Sequence, residues 1–498
     1  MKKALGFLFL VSLLVSCSRE EKTQNPNVII IYADDLGYGD VSAYESGTLH
    51  TPNIDRLAAG GIKFTQAYAT SATCTPSRFS LLTGIYPWRN ERARVLAGDA
   101  PLLIHPDTAT IADIFKNSGY STAVIGKWHL GLGEGSIDWN AEVGPGPNDL
   151  GFDYSYIMAA TNDRVPTVYV KNKRVENLRP DDPLYVNYKE NFEGEPTAIS
   201  NPELMTKMKW QHGHNMSVHN GIPRIGFMKG GKSALWTDET MYEVFLNEVY
   251  GFIHANRQKP FFLYYGLHEP HVPRVPNEKF VGKSGMGPRG DAILEADYCV
   301  GQLLDKLEKD GLLENTLIIF SSDNGPVLND GYYDDAVEKL GDHTPRGPLR
   351  GGKYSLFEAG TRVPFITYWK GKINPGTSDE MISQLDIVAS MKSLISSGES
   401  HYDGQNFLNM LLGKEQNGRE ELIIQAMGRT ALRWKNWSYL PANQGPAVVQ
   451  HVNNETGFSM EEQLYDLSRD LGQNQNLAET ESEMLEKLRN RYHELTKR

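Results

Sequence analysis

Five runs of apolar residues, each broken off by polar punctuation, constrain this chain more than any other feature: Val28 to Tyr32, Ser121 to Ile125, Phe261 to Tyr265, Leu317 to Phe320 and Val363 to Ile366. Successive side chains of a strand point to opposite faces, so a run without polar alternation has both faces buried, as in a parallel sheet covered by helices. Helical patterns at Ile111 to Asn117, Thr237 to Ala255 and Asp291 to Asp310 separate the runs, so strands alternate with helices. The expected fold is α/β: a large, mostly parallel sheet sandwiched by helices. Residues 134–223, rich in Gly, Pro, Asn and charge, read as an insertion over that sheet within a main domain spanning 27–399. The alternating Thr430 to Trp434 and the charged helical tail from Thr480 to Arg498 predict a C-terminal subdomain, 400–498, with a small antiparallel sheet and a closing helix.

The N-terminus is organised differently. Lys2 and Lys3 precede an apolar run from Ala4 to Val15 that is too short to span a bilayer, which is the pattern of a signal peptide over residues 1–16. Leu14-Val15-Ser16-Cys17 resembles the lipobox of bacterial lipoproteins. That likeness implies cleavage before Cys17, lipidation of Cys17, a tether over 17–26, and a place in a bacterial envelope, periplasmic or on the outer-membrane surface. With 50 Lys+Arg against 62 Asp+Glu the chain is acidic, and nothing suggests nucleic acid as a partner. Three cysteines, Cys17, Cys74 and Cys299, make no disulfide framework.

In open parallel sheets, ligands bind beyond the carboxyl ends of the strands, where loops gather side chains from separate segments. The polar clusters follow the strands: Asp34 and Asp35 after the first, Lys127 and His129 after the second, His268 and His271 after the third, Asp323 and Asn324 after the fourth. Together they predict one pocket. Asp34, Asp35, Asp323 and Asn324 supply only oxygen, which suits calcium or magnesium better than zinc; each pair taken alone also reads as a helix cap or an Asx turn. Lys127 and His129, at alternate positions, are expected to point to one side. In Ser71 to Gly84, Thr75 reads as an N-cap, Pro76 as the first helical residue and Gly84 as the stop, which puts Cys74 at a helix mouth where anions are favoured. On chemistry alone Cys74 is a thiolate nucleophile or an inert buried thiol.

Cys74-Thr75-Pro76-Ser77-Arg78 running into Leu82-Thr83-Gly84 resembles the signature of formylglycine-dependent sulfatases. Gly119-Tyr120-Ser121-Thr122 leading to Gly126-Lys127-Trp128-His129 resembles their second signature. Asp34-Asp35, Pro270-His271, Ser322-Asp323-Asn324-Gly325, Leu349 to Lys353 and Leu464 to Leu467 also fit, so the likeness runs from about residue 26 to about residue 480. It implies an alkaline phosphatase-like fold and a cysteine that a maturation enzyme oxidises to Cα-formylglycine. One hydroxyl of its hydrate attacks sulfur, and the other expels sulfate, which a serine could not do. Carried over by residue, Asp34, Asp35, Asp323, Asn324 and residue 74 resemble the calcium ligands. Arg78 would steady the diol, Lys127 and Lys353 would hold sulfate, His129 would take a proton, and His271 would protonate the leaving sugar oxygen. His268 sits beside the family position.

Specificity is expected from the insertion. Asp163, Arg164 and His214 resemble positions in exo-acting carbohydrate sulfatases of gut-type bacteria, which implies a terminal galactose or N-acetylgalactosamine 6-O-sulfate, with the 4-O and 3-O isomers as alternatives. A phosphatase or phosphodiesterase of the same superfamily would instead need a Thr or Ser nucleophile and a histidine-rich two-zinc site. An inactive glycan-binding lipoprotein is the remaining reading.

Overall fold

The computed structural model describes residues 25–44, 47–395 and 402–497; the leader and Cys17 lie outside the described residues. The five apolar runs all enter one ten-stranded sheet. Its order is Gly376–Ser383, Ile62–Tyr68, Phe365–Tyr368, Thr316–Ser322, Asn27–Ala33, Phe261–Gly266, Ser121–Lys127, Tyr154–Met158, Tyr169–Lys171 and Arg174–Val175. Only Phe365–Tyr368 and Tyr169–Lys171 run against the rest. Strand alternation divides the interior into two cores. Val28, Ile30, Tyr32, Val124, Phe262 and Ile319 join the helices Cys74–Thr83, Ile111–Asn117 and Ile387–Ile395 on one face. Ile29, Ile31, Ile125, Leu263 and Ile318 join Pro52–Gly60, Met241–Asn256 and Gly287–Lys309 on the other. Each fully buried aliphatic side chain contributes about 1.5–3 kcal/mol, so these runs act as strands because both of their faces are covered.

Residues 134–223 do not simply overlie the sheet. Tyr154–Met158 pairs in parallel with Ser121–Lys127, and the strands after it extend the edge, because Ile157, Val168 and Val170 have apolar partners in the main core. Four further strands, Glu421–Ala426, Arg429–Trp434, Trp437–Leu440 and Gln463–Asp466, form the antiparallel C-terminal sheet. The helix Ser482–Thr496 packs on it through Leu488. The chain between the two sheets still belongs to the first core, where Met410, Leu411 and Leu412 are buried. Among the described residues no helix is long and apolar enough to cross a membrane.

The loop that follows the first strand is held by a buried ion pair. Both guanidinium NH₂ groups of Arg289 donate to Asp40, at 2.8 and 2.6 Å, His343 Nε2 lies 2.8 Å from Asp40 Oδ1, and the Gly37 N–H donates to Oδ2 at 2.7 Å. Burial alone would raise the Asp40 carboxyl, but Arg289 and His343 hold it below the usual carboxylate range. The stability this contributes is present above the pKa of an unfolded aspartate and is lost as pH falls through the depressed folded value. Asp40→Asn is expected to cost about 3–5 kcal/mol, because it leaves Arg289 buried without its counter-charge. Urea unfolding at neutral pH checks this, and the variant should lose less stability than the parent on acidification.

Candidate active site

The four polar clusters meet because the strands that carry them are neighbours in register. Ala33 pairs with Ser322, Tyr32 with Gly266, and Gly266 with Gly126. Beyond the strand ends the ladder continues, with the Asp34 N–H donating to the Glu269 carbonyl and the Asp323 N–H to the Ala33 carbonyl, both at 3.1 Å. Gly126 is required here: its φ is 104° and a Cβ would lie 1.9 Å from the Gly266 carbonyl oxygen.

Six buried charged side chains, Arg78, Asp323, Lys127, Asp34, Lys353 and Asp35, interlock at this end of the sheet with the half-buried Asp330. Arg78 Nε donates to Asp323 Oδ2 at 3.0 Å, and its Nη1 donates to the Tyr264 hydroxyl at 2.9 Å and the Lys127 carbonyl at 3.2 Å. Arg78 therefore fixes Asp323. Lys127 Nζ is bonded to Asp34 and lies 3.7 Å from Asp323 Oδ2. Lys353 Nζ bridges Asp35 Oδ2 and Asp330 Oδ2, each at 2.9 Å. Asn324 Nδ2 donates to Asp35 Oδ1 at 2.7 Å, and the Asp35 N–H donates to Asp323 Oδ1 at 3.2 Å. Burial pushes Asp34 well above the carboxylate range despite Lys127, with Asp323 adding to the rise. Burial acts the same way on Asp35, but Lys353 and Lys127 outweigh it and hold that carboxyl low.

The donor set fits a hard cation. Asp34 Oδ1 and Asn324 Oδ1 are buried and accept no hydrogen bond, and Asp34, Asp35 and His271 bring donor atoms within 4.8 Å of one another. Oxygens without protons to receive, crowded among carboxylates, are stabilised by a divalent ion. Asp323 gives one oxygen to Arg78 and the other to the Asp35 amide.

Cys74 opens the helix Cys74–Thr83, two residues earlier than the capping pattern suggests. Thr73 is the extended N-cap, and Thr75 Oγ1 donates to the His129 carbonyl at 3.0 Å, so the Thr75 hydroxyl ties the helix to the second signature instead of capping. Gly84 ends the helix in the left-handed conformation, φ 68°, its N–H donating to the Ser80 carbonyl at 2.8 Å. Burial pushes the Cys74 thiol up, against the lowering influence of Lys127 and Lys353, so it is not a preformed thiolate.

The two histidines differ from the simple alternation expected of them. The strand stops at Lys127, and His129 has φ 55°, so the alternation of a strand does not extend to it. His129 Nε2 lies 3.0 Å from the Leu96 carbonyl, which can only accept, so Nε2 carries the proton and the buried, unpartnered Nδ1 keeps a lone pair. Burial first, then Lys127, keeps this ring neutral. His271 Nδ1 donates to the Val272 carbonyl at 2.6 Å, leaving Nε2 facing Asp35 Oδ2 at 3.8 Å. His268 turns to Glu269, with Nδ1 3.2 Å from Oε2.

The residues expected to read the sugar form a chain at the rim. Arg164 Nη1 lies 2.9 Å from Asp163 Oδ1, and Asp163 Oδ2 lies 2.9 Å from His214 Nε2. The His214 ring packs on Tyr332 with centroids 4.5 Å apart. Burial opposes the Asp163 charge, but Arg164, His214 and His271 hold its carboxyl well below the usual range. His212 stacks on His451 of the C-terminal subdomain, centroids 4.6 Å apart. Asp330 carries no signal in the sequence, since it follows the Asp323-Asn324-Gly325 turn inside an irregular loop; its pairing with Lys353 reveals it.

The sulfatase family profile matches residues 26–397. The chain belongs to the sulfatase family. It is a sulfuric ester hydrolase. It is similar to an N-acetylgalactosamine-6-O-sulfatase of Bacteroides thetaiotaomicron, at 46% identity over 489 residues covering 96% of each chain. It is also similar to human arylsulfatase A, at 31% identity with 91% of this chain and 83% of the relative covered. A solved sulfatase structure from work on glycosaminoglycan metabolism by Bacteroides thetaiotaomicron superposes with a TM-score of 0.94 at 46% identity, covering 96% of this chain and all (100%) of that one. The phosphatase alternative falls with this membership.

Proposed function

We propose that this sulfatase removes 6-O-sulfate from terminal N-acetylgalactosamine or galactose of sulfated glycans, acting from the chain end. The observation that carries the reading is the 46% identity, over 96% of both chains, to a protein named for that activity on N-acetylgalactosamine. The chain from the half-buried Arg164 through the buried Asp163 and His214 supports it, because a rigid set of donors and an acceptor discriminates sugar hydroxyls better than an open groove.

In this reading Asp34, Asp35, Asp323 and Asn324 hold calcium, joined by residue 74 once a maturation enzyme has converted Cys74 to formylglycine. Calcium supplies a positive field that lowers the pKa of an adjacent hydroxyl, and the hydrated aldehyde supplies two such hydroxyls on one carbon. The chain's own groups do the rest. Arg78 pairs with Asp323 and keeps it aimed. Lys127 and Lys353, whose charges both reach Cys74, offset the negative charge of the sulfate oxygens as the S–O bond breaks. His129 accepts a proton at Nδ1, and His271, whose Nδ1–H is taken by the Val272 carbonyl, donates from Nε2 to the departing sugar oxygen as the imidazolium, a form that bound sulfate would favour against the burial and the lysine charges that lower its pKa in the free site. Lipid on Cys17 would hold the enzyme in the bacterial envelope, where polymeric glycans or their fragments reach it.

Rates on the 6-O-, 4-O- and 3-O-sulfated monosaccharides test the substrate. The 6-O ester is expected to exceed the other isomers by at least about 10²-fold in kcat/KM, since a hydrogen-bonding site left mispaired discriminates more strongly than an apolar pocket. Higher activity on another isomer overturns the assignment. His214→Ala is expected to lower kcat/KM on the sugar by a similar factor of about 10² while leaving hydrolysis of a small aryl sulfate within about threefold.

A further inference from the structure

At the catalytic end of the sheet, a second group of buried donors has been given no step in the sulfate chemistry above. His268, Glu269 and Glu295 place one donor atom each within 4.8 Å of one another. They are 7, 3 and 2% exposed. The first two follow the strand Phe261–Gly266, and the third comes from the middle of the helix Gly287–Lys309. Among the described residues no lysine or arginine forms an ion pair with either glutamate; the nearby Arg274 and Arg224 are committed to Asp334 and Asp238, each at 2.8 Å. Burial and the adjacent Glu269 push the Glu295 carboxyl up to about 9 against a weaker opposing pull from Lys279, so at neutral pH it holds a proton that a cation between the carboxyls would displace.

Two further observations point to a ligand. Glu269 Oε1 is buried and accepts no hydrogen bond. The same holds for Oδ1 of Asn162, a residue that is 3% exposed and lines, with His268, Glu269 and Glu295, a narrow cavity of about 10 Å³. That volume takes one water-sized sphere. We infer that His268, Glu269 and Glu295, closed by the Asn162 side-chain oxygen, bind a second divalent cation of the zinc class. An imidazole with carboxylates suits a borderline metal, in contrast to the oxygen-rich cluster around Asp34. Such an ion would clamp three segments: the loop that continues to His271, the helix at Glu295, and the loop that continues from Asn162 to Asp163 and Arg164. His268 and Glu269 are thus positioning residues for the pocket.

The test uses the full chain, stripped of metal and returned to excess calcium, then titrated with Co²⁺ as a spectroscopic stand-in for zinc. One equivalent is expected to bind with visible d–d absorption and to be displaced by Zn²⁺. Glu295→Gln, which keeps the shape and removes the charge, should weaken this binding by more than about 10²-fold, beyond what loss of an outer-shell contact causes. The same variant should retain the calcium-dependent rise in Tm. If Glu295→Gln fails to fold, His268→Gln reads the same loss. Absence of a cobalt signal in excess calcium, or an undiminished one in a folded variant, overturns the proposal and leaves a carboxyl pair sharing a proton. With the ion bound, KM for the sugar is expected to fall relative to the calcium-only enzyme while kcat on a small aryl sulfate stays unchanged; a purely architectural ion would move neither.

Discussion

Cys74→Ser, produced without a maturation enzyme, is expected to give at most one reaction per molecule. The serine hydroxyl can attack sulfur, releasing the sugar alcohol and leaving a sulfate ester on the protein, but it has no second hydroxyl on the same carbon to expel that ester. Intact-mass measurement should show one added sulfo group, and steady-state turnover should fall by about 10⁴-fold or more, the range seen when a nucleophile is removed. Cys74→Ala should be equally inactive without acquiring the added mass. Both variants should fold, since the helix they sit on is held by Gly84, by the Thr75–His129 bond and by Phe79, Leu81 and Leu82 in the main core. Peptide mass spectrometry of the parent from its native host should find an aldehyde at residue 74. A free thiol together with full turnover would sink the formylglycine reading and return the cysteine to its other roles; a thiol without turnover would favour a glycan-binding protein.

The parts of this molecule that sequence exposes are those whose physics is local. Val28 to Tyr32 announces a doubly buried strand because no polar residue interrupts it, and Ile29 and Ile30 do lie in opposite cores. Asp34, Lys127, His271 and Asp323 stand out because each follows such a run, and parallel register then sets them side by side. Features that depend on a partner far along the chain leave no local trace. Asp330 looks like any loop aspartate until Lys353 reaches it, and Glu295 looks like an ordinary polar position within a helix until the Phe261–Gly266 strand delivers Glu269 beside it. Thr75 misleads because a threonine before a proline is a good cap by composition, while its hydroxyl is taken by a carbonyl more than fifty positions away, with a separation of 54. The reach of Tyr154–Met158 into the main sheet is hidden for a similar reason: its flanks are polar and glycine-rich, and only pairing with Ser121–Lys127 makes it a strand.

Asp35→Asn is expected to abolish the effect of calcium on stability and most of the activity. Asp35 is the carboxylate that the surrounding charges keep ionised, through Lys353 at 2.9 Å and the Asn324 amide at 2.7 Å. It is therefore the member of the cluster best able to give full charge to an ion. Asparagine preserves the shape and tolerates the left-handed backbone at φ 61°. It also leaves Lys353 with Asp330 as a partner, so the variant does not strand a buried cation. In the parent, calcium at about 100 times its Kd should stabilise the fold by about 2.7 kcal/mol, read as a rise in Tm. In Asp35→Asn that rise should vanish, and turnover should fall by about 10³-fold, as when a preorganised electrostatic group is removed. Asp330→Asn is the control: it touches the same lysine but offers no atom to the Asp34–Asp35–His271 group, so the calcium response should persist. If calcium still raises the Tm of Asp35→Asn by the parental amount, the ion sits elsewhere, and the assignment of Asp34, Asp35, Asp323 and Asn324 as its ligands fails.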